Sequence, residues 1–180
     1  VALPPKTWEE FLTVIPKLRS IDKFGNLTLG AVAIGGSTDS IPNAPDILEL
    51  LMLQTGALTP DKYPSQTVDS EEGERALEFY AQFTNSQSQY YTWSDASGSS
   101  IDSFAEGKTA MIFAYANDTE KIKAKNPFLN FVAVPAPQAD LNQAVSVANY
   151  WALTASSKTQ GSEVAWDFIL FATTDKETAS

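Results

Sequence analysis

Ten residues, Leu27–Gly36 (LTLGAVAIGG), constrain the fold more than any other stretch of this chain. They carry no charge, and their apolar residues run on instead of alternating with polar ones. That is the pattern of a strand covered on both faces. Two glycines end it. The polar, proline-bearing segment Ser37–Asn43 then feeds an apolar-periodic helix that should stop before Gly56.

The same alternation continues on either side. Thr7 followed by Glu10 forms a capping box, so a first helix starts at Thr7, with Pro16 expected to kink or shorten it before about Arg19. A third helix is expected over Ser70–Thr84, with Ala76, Leu77, Phe79, Tyr80 and Phe83 on its apolar face. After it comes a Ser-rich loop with an unusual aromatic load: Tyr90, Tyr91 and Trp93. A short helix "SSIDSFAEG", a strand "TAMIFAY", a helix from Asp118 to Lys125, strands "LNFVAVPAP" and "AVSVANYWALTAS", and a last helix over Ser162–Phe171 complete the series. Alternating helices and strands predict an α/β fold with helices packed on a central sheet.

Gly107-Lys108-Thr109 repeats the tail of the phosphate-binding loop, but the rest of that motif is absent. The loop needs a glycine five residues earlier, where Asp102 stands, and it needs the order strand, loop, helix. Here the order is helix, glycine, strand. A helix carboxyl end repels anions, so Gly107 reads as a C-cap and Lys108 as a cation near the negative end.

With 12 Lys+Arg against 22 Asp+Glu, the net charge is −10, and no basic run exists to neutralise nucleic-acid phosphates. The 180 residues, 43% of them apolar, suffice for one sizeable core or two small ones. No window approaches the roughly 18 consecutive apolar residues of a membrane span. Cysteine and histidine are both missing, which removes thiol nucleophiles, disulfides, the usual zinc sites and the commonest general base. No G-x-S-x-G organises a serine nucleophile either. Neither a cofactor nor a metal is expected.

Six segments in order, "PPKTWEEFL", "ALEFYAQF", "FAEGKTAMIF", "NFVAVPAP", "NYWALTASS" and "AWDFILFATT", resemble the middle of the extracellular solute-binding proteins of ABC importers. The nearest subgroup looks like the carbohydrate binders related to maltose-binding protein. The resemblance covers essentially the whole chain. It implies a periplasmic-binding-protein-like (type II) fold of two α/β lobes with the ligand in the cleft between them. On that pattern, residues 1–134 resemble the second lobe, 135–139 a hinge crossing, and 140–180 a return to the first lobe. The remainder of the first lobe, a leader and a lipid-anchoring cysteine are expected upstream, which makes the sequence look like a central piece of an extracellular or periplasmic lipoprotein.

A sugar offers apolar C–H faces and many hydroxyls, so its site combines flat rings with short polar side chains. Strand exits supply three such places. Ser37, Thr38 and Asp39 follow Gly36; Tyr115 and Asn117 follow "TAMIF"; Asn149, Tyr150 and Trp151 lie near the hinge. Tyr91 and Trp93 form a fourth. The resemblance puts Asn117 closest to the stacking position of the maltose-type relatives, with Tyr115 or Trp93 able to supply the ring. Plainer roles compete: Asp39 as a cap for the helix beginning near Asn43, Trp151 as core, Trp8 and Trp166 as core or helix-surface packing. Gly107 and Lys108 match the family pattern without an evident ligand role.

The expected function is therefore reversible capture of a sugar or oligosaccharide and its delivery to ABC permease subunits, with no bond made or broken. Rival readings are a peptide, polyamine or anion binder of the same fold, and a glycosidase using Asp39 and Asp95. Neither Arg19 nor Arg75 falls on a candidate loop, which weighs against an anion.

Overall fold

The computed structural model describes residues 3–59, 69–150 and 152–174. It divides into two compact units, 1–147 and 148–180.

In the first unit, Thr7 caps α1 (Trp8–Leu18) by accepting from the Glu10 N–H at 3.2 Å. The Glu10 carboxylate answers on the Lys6 N–H at 2.8 Å, one residue earlier than a standard capping box. Pro16 lies on the exposed side in the last turn, where few further i−4 bonds remain to be lost, and the helix runs on to Leu18. Trp8, Phe11 and Ile15, at helical spacing, are buried.

A short hairpin that the sequence did not announce joins β1 (Ser20–Ile21) to β2 (Leu27–Ala33). Its turn is fixed by Asp22, whose Oδ1 accepts from the N–H groups of Phe24 and Asn26 at 2.8 and 2.9 Å. From Gly30 onward β2 leaves β1 and pairs in parallel with β3 (Thr109–Ile112), with Gly30 opposite Thr109 and Ala33 opposite Ile112. The sheet has three strands in the order β1-β2-β3.

The crossover from β2 to β3 contains α2 (Ala44–Thr55), α3 (Glu71–Ala81) and α4 (Ser100–Ala105). Gly56 closes α2 at φ 82°, as its place after the periodic run required. On α3 the buried side is Gly73, Ala76 and Tyr80, with Phe83 just beyond. Leu77, expected on that face, is 51% exposed, because it stands one helical step of about 100° from Ala76. Edge-on rings tie these elements together: Trp8 meets Phe11 and Phe79 with centroids at 5.3 Å, and Phe79 meets Phe83 at 5.3 Å. Each such pair is worth about 0.5–1.5 kcal/mol beyond its area. After β3 comes α5 (Asp118–Lys125), at its expected bounds.

Two expected strands do not form. Residues 129–137 and the described part of 144–156 form no regular secondary structure and have no ladder partners, and Val132 and Val134 are at least half exposed. A strand exists only where a neighbour takes its backbone hydrogen bonds. Next to the first of them Gln138 makes an isolated bridge, its N–H donating to the Lys6 carbonyl at 2.9 Å and its carbonyl accepting from the Trp8 N–H at 3.3 Å.

The second unit contributes α6 (Ser162–Ala172), near its expected bounds. Trp166, expected as core or helix-surface packing, lies on the surface at 52% exposure.

Candidate functional site

β2 and β3 are adjacent and parallel, so their carboxyl ends open at one edge of the sheet. Counting from the pair Ala33–Ile112, Gly36 and Tyr115 are each three residues past the last ladder position. Two of the predicted groups thus follow the ends of neighbouring strands: Ser37, Thr38 and Asp39 after β2, and Tyr115 and Asn117 after β3. In open α/β sheets this carboxyl edge is where ligands bind.

The first loop is held from below. Tyr80 donates its hydroxyl to the Gly36 carbonyl at 2.7 Å, and burial pushes its phenol up to about 12. Asp95 Oδ1 accepts from the Ser37 N–H at 3.0 Å and from the Ser40 hydroxyl at 2.5 Å. Ser40 Oγ in turn accepts from Trp93 Nε1 at 3.0 Å. The Ser40 hydroxyl is the chief reason that the Asp95 carboxyl is held below the usual carboxylate range, against a smaller opposing effect of burial. Ser37, Thr38 and Asp39 themselves face solvent.

Asp39 does not cap α2: the N-cap is Asn43, which makes no side-chain cap hydrogen bond. Trp93, a candidate platform, is 0% exposed with its N–H engaged, so its role in this structure is core. Tyr115 is half-buried, its N–H given to Asp118 Oδ2 at 3.0 Å, while Asn117 is exposed. Asn149 and Tyr150 are exposed in the second unit, and Trp151 lies outside the described residues.

Tyr91 sits elsewhere, on a hollow of about 430 Å³ shared with Asn26, Thr28, Ser94, Ser97, Lys108 and Thr109. Volume alone would favour that hollow as a site. It is open, however, and it borders the first paired residues of β2 and β3, the end opposite the strand exits. The exit loops, with rigid support beneath exposed polar groups, are the stronger candidate.

Hydrolytic chemistry has little to work with. Asp95, one of the two carboxylates considered, is committed to Ser37 and Ser40, and its lowered pKa is the reverse of what a general acid needs. Ser20 and Lys23 stand at Ser-x-x-Lys spacing, but both lie exposed in the β1–β2 hairpin. Gly107 ends α4 at φ 72° and Lys108 pairs with Glu106 at 2.6 Å, which fits a helix C-cap and not a phosphate loop. Among the described residues no cluster of three or more potential metal ligands occurs.

The sequence signal for the missed supports was the diglycine. A Cβ on Gly36 would lie 2.5 Å from Asp95 Oδ1 and 2.8 Å from Ser40 Oγ, and one on Gly35, at φ 88°, would lie 2.6 Å from the Tyr80 carbonyl. Glycine is required here because a carboxylate and a helix crowd the strand exit.

The family model for bacterial extracellular solute-binding proteins matches residues 2–180. The chain belongs to that family. No curated protein and no solved structure matches it. As a solute-binding protein of ABC transport it acts outside the cytoplasmic membrane, in the extracellular or periplasmic space. Among the described residues of this solute-binding protein, no helix is long and apolar enough to cross a membrane.

Proposed function

We propose that this solute-binding protein captures a sugar or oligosaccharide and delivers it to the permease subunits of an ABC importer, in the manner of the subgroup related to maltose-binding protein. The observation that carries this reading is the position of two polar exits on neighbouring parallel strands: Ser37–Asp39, which is exposed, and Tyr115–Asn117, half-buried at Tyr115 and exposed at Asn117. Short hydroxyl, carboxylate and amide groups beside a phenol ring suit a neutral polyol. The only two arginines are occupied, Arg19 by the Tyr91 carbonyl and Arg75 by Glu72 at 3.0 Å, which counts against an anion. Asn149, Tyr150 and Trp151 join the proposal through the resemblance alone.

In this proposal residues 1–134 form most of one lobe, 135–139 cross a hinge, and 140–180 return to the other lobe of a longer, lipid-anchored protein. The solute favours the closed state because only that state touches it from both lobes. A micromolar affinity corresponds to about −8 kcal/mol, within reach of one or two stacked rings and a few hydrogen bonds.

A polyamine is the second reading, favoured by the exposed carboxylate of Asp39 and the net charge of −10. A thermal-shift screen of the full-length protein against sugars, polyamines, peptides and anions separates the two. A solute at a hundred times its Kd adds about 2.7 kcal/mol of stability. Sugars should raise the melting temperature and be recovered unhydrolysed. A shift with spermidine alone would favour the polyamine, and hydrolysis products would favour an enzyme.

A further inference from the structure

The segment from Tyr91 to Ser97 is joined to β2 at Thr92, just past the residues of β2 that pair with β1. Thr92 Oγ1 accepts from the N–H groups of Ala31 and Val32 at 2.7 and 3.1 Å, so the segment is pinned to the strand before it reaches the exit loop. Trp93 is fully buried next to it. Asp95 therefore arrives at a fixed place, and both partners it holds belong to the exit loop: the Ser37 N–H and the Ser40 hydroxyl. The Ser40 carbonyl is also taken, by the Ser100 N–H at 2.8 Å. The carboxylate fills the space that a side chain at Gly36 would take, since a Cβ there would lie 2.5 Å from its Oδ1.

We infer that Asp95 is a positioning residue for solute binding, its carboxylate latching the Ser37–Ser40 loop so that Ser37, Thr38 and Asp39 are presented in one conformation. The inference rests on the proposed function, in which those three residues meet the solute. A loop held rigid before binding loses little freedom on binding, and this is the gain that preorganisation gives. Asp95 is itself exposed, and both partners of its carboxylate lie in the exit loop, so losing the latch should show in loop exchange and in affinity.

The test compares full-length wild type with Asp95→Ala, Asp95→Asn and Glu78→Ala, the last an exposed control on α3. Two readouts are taken: amide hydrogen exchange across residues 37–41 without solute, and calorimetric titration with a panel of mono- and disaccharides including maltose. Asp95→Ala should speed exchange at 37–41 and weaken the sugar that binds wild type by about tenfold or more, the expected scale for losing a group that orients a binding residue. Asp95→Asn keeps one acceptor oxygen and should fall between. Glu78→Ala should match wild type in both. Unchanged exchange in Asp95→Ala overturns the latch, as does unchanged affinity in a wild type that binds sugar. If wild type binds no sugar yet Asp95→Ala speeds exchange, the latch stands and the sugar assignment fails.

Discussion

At the scale of single residues, the strand exit is crowded. Gly36→Ala would push a methyl group to within 3 Å of Asp95, Ser40 and the Trp93 ring. We expect a loss of about 1–3 kcal/mol, the usual range for overpacking, measurable as a lower urea midpoint with an unchanged slope. Tyr80 gives a pH signature. Its folded pKa of about 12 exceeds the ordinary 10.0, so its contribution is complete below pH 10 and is lost as pH rises toward 12. Tyr80→Phe should flatten that alkaline fall in a stability–pH curve. Asp95 works in the opposite sense: its lowered pKa contributes above the ordinary 3.8 and fades as pH falls through the folded value. The diglycine was visible in the sequence as a loop. Its cause was not, because Asp95 is 58 residues from Ser37 and Tyr80 is 44 from Gly36.

At the scale of elements, helices were legible where local chemistry defines them. Thr7, Ser70 and Ser99 each cap a helix with a side-chain oxygen, and Gly56 and Gly107 follow helix ends with positive φ. Strands were legible only where a partner is present. β2 and β3 stand where their apolar runs fall, whereas 129–137 and 144–156 have the composition of strands without a ladder. Composition does not name the neighbour. Gln54 is a third case, an unremarkable polar residue near the end of α2 that joins three elements. Its Oε1 accepts from Trp8 Nε1 at 2.7 Å and the Ala139 N–H at 2.9 Å, and its Nε2 donates to the Pro137 carbonyl at 3.2 Å. Gln54→Ala should cost about 1–3 kcal/mol by leaving partly buried donors unpaired. Chemical denaturation would measure it, and exchange at Ala139 should rise in parallel.

At the scale of the whole molecule, the family assignment and the strand-exit geometry rest on different features: a family model that matches residues 2–180 for one, β2–β3 register for the other. The site was legible in part. Ser37–Asp39 and Tyr115–Asn117 follow the exits of neighbouring parallel strands, as the candidate site requires, while Trp93 is buried with its N–H on Ser40. If the cleft needs two lobes, the 180-residue chain alone should bind sugar at least tenfold more weakly than the full-length protein in parallel calorimetric titrations. Equal affinities would remove the two-lobe reading. The most direct measurement is a crystal structure of the full-length protein grown with its tightest-binding sugar. The sugar should lie in contact with Ser37–Asp39 and with Tyr115 or Asn117. A sugar lodged in the hollow between Asn26, Tyr91 and Lys108, with both strand exits empty, would contradict it.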